Sequence, residues 1–242
     1  MPETSVQFAA ESSPEQNALA AITLSDATLS EDIVLSLLKN PDLPSAEIEK
    51  LTRHFAALKS RKARLAIAAH PHAPRRIALR LIRELYTGDL ARFSLTPAVA
   101  ADLKHVADEL LVNRLASITL GERITLARRC SPHVAAALLL DTEARVWQAA
   151  LENPRITEAA LIKALQRPQA TGAFVNAVCH HPKWSLRHEI RTALLRSAHT
   201  PLTRALEFAR RLPLPLLRDV LHASRLPEKI KEYILRELKD RK

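Results

Sequence analysis

The strongest constraint in this sequence is a pattern that keeps returning: an apolar helix end, a polar residue, a proline, and then a new helix. The residue before a proline is forced out of the α region, so each such site ends a helix. Proline at the first position of a helix then favours a new start. A period of about 20–30 residues is typical of stacked helical hairpins. The pattern occurs at Asn40-Pro41, His70-Pro71, Ser131-Pro132, Asn153-Pro154, His181-Pro182 and Thr200-Pro201.

Glycine is too scarce for most other folds. The chain has 3 glycines and 15 prolines among 242 residues. Tight hairpins and phosphate-binding loops need residues that tolerate positive φ, which glycine usually supplies. Between the prolines, apolar residues recur at helical spacing, as at Leu79, Ile82 and Tyr86. The sequence therefore predicts an all-α fold of short helices that must pack on one another, because short helices are marginal in isolation.

The polar residues at these joints are predicted to cap the helix that follows. Asn, Ser and Thr side chains can accept hydrogen bonds from the free N–H groups of a first helical turn. Thr96-Pro97 and Thr200-Pro201 are interpreted as a cap followed by the first helical residue. Asp141 is predicted to cap the helix after it in the same way.

Composition along the chain predicts the domain organisation. Residues 1–27 are rich in Ser, Glu, Gln and Ala and are predicted to form a disordered acidic tail. Residues 28–242 are predicted to form one repeat domain, closed by an amphipathic helix at about 227–241. The chain has 2 cysteines and no recognisable secretory signal, and its longest apolar run is 134–140, so we expect a cytoplasmic protein without a membrane span.

Charge is distributed unevenly. Residues 1–50 hold 9 acidic and 2 basic residues, a net charge of −7, which leaves 34 basic and 17 acidic residues, or +17, in 51–242. A field of that sign favours acidic partners such as nucleic acid or an acidic protein surface. The acidic first 50 residues are also able to screen this charge by lying over a basic groove.

The segment 141–154, which runs from an Asp turn through an Arg-bearing helix to Asn153-Pro154, resembles HEAT-like repeats. It is closest to the leucine-rich repeat variant, and the resemblance covers roughly residues 30–225. The resemblance implies a right-handed α-solenoid of short helical hairpins that serves as a binding scaffold. The cysteine-rich cluster segment of that family has no counterpart here, so an iron–sulfur role is not implied.

Cysteine and histidine occur close together at two places in the sequence, which raises the possibility of a metal site. Cys130 with His133 and Cys179 with His180 offer zinc-ligand types. Packed helices lie about 8–10 Å apart, so pairs two repeats distant should be about 20 Å apart and share no metal. We therefore expect no metal and no cofactor, with the thiols serving as small core residues.

HEAT-like DNA glycosylases line a basic cleft with aromatic residues and an Asp, which raises Trp147, Trp184 and Asp141 as candidates. Packing and capping explain these three residues better, so the chain is predicted not to be an enzyme.

The basic residues provide the candidate binding site. If successive repeats align them, arginines form a stripe suited to carboxylates or phosphates. We expect a non-enzymatic scaffold that binds an acidic protein segment or protein complex on a partly basic concave surface. Nucleic-acid binding without sequence readout is the alternative. The candidate binding residues are Arg75, Arg76, Arg80, Arg83, Arg128, Arg129, Arg145, Arg187 and Arg191.

Overall fold

The computed structural model describes residues 30–53 and 59–239. These residues form 15 α-helices and contain no β-strand, which confirms the predicted all-α class for this part of the chain. The predicted tail, residues 1–27, lies outside the described residues. Among the helices that are described, none has the length and apolar character needed to cross a membrane.

The chain divides into two compact units, Met1–Ala107 and Asp108–Lys242. The single repeat domain over 28–242 stays a prediction. In the first unit, α3 packs against α1, α4 and α5. Helix α6 (Ala101–Arg114) continues across the division between the units. The helices of the first unit are α1 (Glu31–Leu37), α2 (Ser45–Leu51), α3 (Arg61–Ala69), α4 (Arg75–Glu84) and α5 (Thr87–Leu95).

In the second unit, alternate helices lie side by side. The helices are α7 (Leu120–Arg129), α8 (Pro132–Leu138), α9 (Ala144–Leu151), α10 (Glu158–Leu165), α11 (Gly172–His180), α12 (His188–Arg196), α13 (Leu202–Ala209), α14 (Leu214–His222) and α15 (Glu228–Lys239). Helix α9 packs between α7 and α11, while α10 packs between α8 and α12, and α12 also packs against α14. The last helix, α15, packs against α13 and α14 and falls within the range 227–241 named from the sequence. The core between the helices is mostly Leu, Ala, Ile and Val.

Four of the joints between helices share one hydrogen-bond pattern. The side chain before the proline accepts a hydrogen bond from the backbone N–H two residues later, which closes a turn whose first dihedral the proline already fixes. Turns built this way need no glycine. No described residue, glycine included, has a positive φ. The acceptor and donor atoms are Asn40 Oδ1 with Asp42 N (3.0 Å), His70 Nδ1 with His72 N (3.2 Å), Asn153 Oδ1 with Arg155 N (2.9 Å) and His181 Nδ1 with Lys183 N (3.2 Å).

The capping prediction is therefore right only at some joints. Ser131 does cap α8, since its Oγ accepts from Val134 N at 3.4 Å with Pro132 at the first helical position. Thr96 and Thr200 were assigned wrongly, because their hydroxyls donate backward. The Thr96 hydroxyl bonds the carbonyl of Arg92 at 2.9 Å and the Thr200 hydroxyl bonds that of Leu194 at 2.6 Å. Each thus bonds a carbonyl near the end of the preceding helix rather than an N–H group of the next.

In two of these joints, at Asn153 and His70, the second polar atom of the same residue bonds a segment 26 or 30 residues earlier in the chain. Asn153 Nδ2 donates to the carbonyl of Ala127 at 2.8 Å, and the Asn153 residue is only 1% exposed. Because His70 Nδ1 is an acceptor, its Nε2 carries the proton and donates to the carbonyl of Asn40 at 2.9 Å. Trp184 Nε1 donates to the carbonyl of Leu151 at 3.2 Å. The joints of His70, Asn153 and Trp184 are therefore each fastened at or near the end of an earlier helix.

We expect Asn153→Ala to destabilise the protein by about 2–3 kcal/mol, because it removes the side-chain hydrogen bonds to Arg155 N and to the carbonyls of Ala127 and Cys130. Asn40→Ala is the matched control. The Asn40 side chain makes the same turn contact, but it is exposed and only its backbone carbonyl serves the next joint. Its loss should stay below about 1 kcal/mol. Guanidinium denaturation of both variants measures the difference, and equal losses would contradict the role given to the buried amide.

A capping box at the start of α7 makes a pH-dependent contribution. Glu122 Oε2 accepts hydrogen bonds from the backbone N–H and the hydroxyl of Thr119, both at 2.9 Å, and these bonds lower the pKa of Glu122 below its ordinary 4.5. A carboxyl group whose pKa is lower in the folded than in the unfolded protein stabilises the folded state. This stabilisation is complete above the pKa of the unfolded state and is lost as the pH falls through the pKa of the folded state.

Wild type should therefore exceed Glu122→Gln in stability at pH 7, and the difference should shrink at pH 3. Denaturation midpoints at the two pH values measure it. Glu232→Gln, at an exposed position within α15, serves as the control and should show no such shrinkage. A difference for Glu122→Gln that does not change with pH would count against the capping box.

Candidate binding groove

A groove of about 530 Å³ lies over helices α7, α9 and α11 of the second unit. The three helices are neighbours in one row, so their side chains form a continuous surface. Helix α9 supplies most of that surface, because residues three and four positions apart on a helix share one face. The lining residues are Ile124, Arg128, Arg145, Gln148, Ala149, Leu151, Glu152, Ala177 and His181.

The groove combines an apolar floor with a cationic edge. Ala149 and Leu151 are buried, whereas Arg128 and Arg145 are exposed. Arg128 stands in the last turn of α7, where a cation is favoured by the helix dipole. The only carboxylate in the lining is Glu152, which accepts from Nε2 of the half-buried His181 at 3.2 Å. Such a surface suits a ligand that carries both carboxylates and aliphatic groups.

The structure brings together only two of the nine predicted binding residues in this groove, Arg128 and Arg145. Arg129 is exposed on α7 but does not line it, and Arg187 is exposed just before α12. Arg191 is half-buried and its Nε donates to the carbonyl of Ser185 at 2.7 Å. Desolvation, with nearby Arg211 and Arg204, lowers the pKa of Arg191.

The other four predicted residues lie on α4 in the first unit, where they are all exposed. Arg75 forms an ion pair with Asp102, and Arg76 forms one with Glu49. Arg76 and Arg80 line a separate cavity of about 440 Å³ that also contains Glu49. Arg83 is the fourth arginine of this set. Two of the four, Arg75 and Arg76, thus already have a carboxylate partner.

The aromatic residues that raised the glycosylase hypothesis face the core. Trp147 is 5% exposed and its ring meets Phe174 edge-on, with centroids 5.7 Å apart. Trp184 is 2% exposed and its indole N–H is taken by the Leu151 carbonyl. Neither ring is therefore placed to stack on a base.

Asp141 holds an ion pair rather than a helix cap. Both of its carboxylate oxygens accept from Arg123 Nη1, at 2.8 and 2.7 Å, and its side chain is 7% exposed. Its Oδ1 also accepts from Glu143 N at 2.9 Å, and Glu143 is the residue that precedes α9. The capping prediction for Asp141 was wrong because the helix begins at Ala144, too far along the chain for Asp141 to be its cap.

The two thiols are buried and unpaired. Desolvation raises the pKa of Cys130 to about 12 and that of Cys179 to about 11, so both are protonated at neutral pH. Within residues 30–53 and 59–239, no group of three or more His, Cys, Asp or Glu side chains is arranged to hold a metal ion.

Gln148, Glu152 and His181 line the groove but were not among the predicted binding residues. The signal for the first two was present in the helical spacing, since Arg145, Gln148, Ala149 and Glu152 fall on one face. His181 belongs to the next joint, and only the packing of α9 beside α11 places it at the groove.

No protein-family model, no curated protein and no solved structure matches this chain. The resemblance of 141–154 to HEAT-like repeats therefore stays a prediction, and the function has to be argued from the groove itself.

The pair Arg123–Asp141 is expected to be structural. In a double-mutant cycle of Arg123→Met, Asp141→Asn and the combined variant, we expect a favourable coupling of about 1–2 kcal/mol. Each single variant should destabilise the second unit, because it leaves the other charged group without its partner. Chemical denaturation supplies the four free energies of unfolding. Purely additive losses would show that the contact between the two groups contributes nothing.

Proposed function

We propose that this chain is a non-enzymatic scaffold of stacked helical hairpins, and that it binds an acidic protein segment in the groove over α7, α9 and α11. The observation that carries the proposal is the apolar floor of the groove edged by the exposed guanidinium groups of Arg128 and Arg145.

The packing of the second unit supports the repeat architecture. Helices two positions apart in the chain are neighbours, as α7, α9 and α11 are in one row and α8, α10, α12 and α14 are in the other. Side-chain hydrogen bonds join one joint to an earlier one across 26 residues at Asn153 and 30 at His70. This is the contact pattern of hairpins that touch only their neighbours. A right-handed superhelix of HEAT-like or leucine-rich-repeat-variant type is part of the proposal.

Charge and shape favour a particular kind of ligand. The groove offers two guanidinium groups, which pair with carboxylates in a fixed fork, and an apolar floor that aliphatic side chains can cover. Its volume of about 530 Å³ holds a few side chains rather than a whole domain face. An acidic segment with interspersed aliphatic residues fits both properties. A cytoplasmic location accompanies this proposal and agrees with two free thiols.

Nucleic acid is the less favoured ligand. Proteins that bind single strands usually offer exposed aromatic rings for the bases, whereas Trp147 and Trp184 are buried. Duplex binding without sequence readout needs many unpaired cations along the phosphates, and Arg75 and Arg76 are already paired with carboxylates.

Fluorescence anisotropy with a labelled twelve-residue peptide of alternating Glu and Leu tests the proposal on the full chain. We expect Arg128→Glu combined with Arg145→Glu to weaken binding by about tenfold or more, since each reversal replaces an attraction by a repulsion. A peptide with Lys in place of Glu should bind wild type poorly.

The matched control is Arg218→Glu combined with Arg236→Glu. These arginines are exposed on α14 and α15 and do not line the groove, so the same charge reversal there should change affinity by less than about twofold. Equal losses of peptide affinity in both variants would show that the groove is not the binding site. A random-sequence DNA duplex that binds tightly, with a steep loss as salt is raised, would instead favour the nucleic-acid alternative.

A further inference from the structure

A second cavity in Asp108–Lys242 has a composition unlike the groove. It measures about 400 Å³ and lies where α10, α12 and α14 end. Its cationic residues are Arg167, Arg196, Arg225 and His199, all of them exposed. No Asp or Glu is among its lining residues.

The three arginines lie at or just beyond the ends of three helices that are neighbours in one row. Arg167 follows the end of α10, Arg196 is the last residue of α12, and Arg225 follows the end of α14. Along the chain, 29 residues separate Arg167 from Arg196, and 29 separate Arg196 from Arg225. The backbone N–H of Arg225 donates to the carbonyl of Arg196 at 3.0 Å, so these two helix ends are in direct contact. The repeat therefore brings three like charges to one place.

These arginines lack the carboxylate partners that others in the chain have. Arg61, Arg75, Arg76 and Arg123 form ion pairs with Asp or Glu. Within the part of the chain that the structure describes, no such pair involves Arg167, Arg196 or Arg225. Converging cations repel one another, and a bound anion would remove that cost.

Helix ends alone do not account for this arrangement. A cation at a helix C-terminus is stabilised by the helix dipole, which explains one arginine at each end. It does not explain why the three side chains line one recess over buried apolar residues. That floor is formed by Leu165, Ala170 and Ala193. His199 completes the edge, with its ring next to Gly172 at the start of α11.

We propose that this cavity binds a compact polyphosphate anion, of the size of pyrophosphate or tripolyphosphate. Guanidinium forks match phosphate oxygens in geometry, and three of them supply the charge that such an anion needs. A volume of about 400 Å³ is in the range of small-ligand pockets. The cavity is lined by none of the groove residues, so this proposal does not depend on the proposed function.

Isothermal titration of the full chain with sodium tripolyphosphate, at fixed ionic strength, tests the site. We expect Arg196→Gln to weaken binding by about tenfold or more, because it removes a charge-assisted contact, and the combined Arg167→Gln, Arg196→Gln and Arg225→Gln variant to abolish it. Arg196→Lys should recover part of the affinity, since it keeps the charge but not the fork. Circular dichroism establishes whether each variant is folded. If the combined variant does not fold, the affinity of Arg196→Gln alone tests the site.

The charge-matched control is Arg92→Gln, Arg218→Gln and Arg236→Gln, which removes three exposed arginines that do not line the cavity. It should bind tripolyphosphate within about twofold of wild type. The proposal is overturned if this control loses as much as the cavity variant, or if wild type binds tripolyphosphate no better than sulfate.

Two further ligands identify the source of the phosphate. Equal affinity for tripolyphosphate and ATP would assign recognition to the phosphate chain alone, and tighter binding of ATP would indicate a nucleotide, with both results supporting the site. A single-stranded oligonucleotide whose binding needs the three arginines, while tripolyphosphate does not bind, would refute the assignment to a small anion.

Discussion

The hydrogen bonds made by Asn153 and His70, each of which precedes a proline, hold together segments that are far apart in the sequence. In Asn153 the side-chain oxygen closes its own turn while the amide nitrogen bonds the carbonyl of Ala127, and both contacts are made out of reach of water. His70 performs the same two tasks with its two ring nitrogens. A helix of seven to ten residues has too few internal hydrogen bonds to be stable alone, so its ends and one face must be satisfied by neighbours. The proline sets the turn, and its polar neighbour fixes the turn to an earlier helix.

The large positive charge of residues 51–242 is not one uniform surface. In the first unit, Arg61, Arg75 and Arg76 are paired with carboxylates, so their charges serve mainly to hold neighbouring segments together. In the second unit, Arg123 is paired with Asp141 in the same way. The arginines at the groove, and those at the cavity of Arg167, Arg196 and Arg225 (the helix-end cavity), are different. Among the described lining residues, the groove contains one carboxylate, Glu152, and the helix-end cavity contains none. The structure thus separates arginines that are paired with a carboxylate from arginines that are not, a distinction that net charge does not show.

The two cavities of the second unit offer different chemistry although both carry arginine. The groove over α7, α9 and α11 mixes guanidinium groups with an apolar floor and one carboxylate, which suits a peptide with alternating character. The helix-end cavity gathers three arginines and a histidine without an acid, which suits a small ion of high negative charge. The groove lies over helices of one row of the second unit, and the other cavity lies at the ends of helices of the second row.

The sequence by itself determined that the described chain is helical and where several of its helices end. A proline cannot continue a helix and its preceding residue must leave the α region, so these are local effects that need no tertiary information. The same locality explains why Ser131 was recognised as a cap, while Thr96 and Thr200 were not assigned correctly: whether a hydroxyl bonds forward or backward depends on the path of both helices. The tertiary structure alone decided which arginines are available. Ion pairs such as Arg61–Asp89 and cavities such as that of Arg167, Arg196 and Arg225 join residues 28 and 29 positions apart, and their partners are chosen by packing between helices rather than by neighbours in sequence.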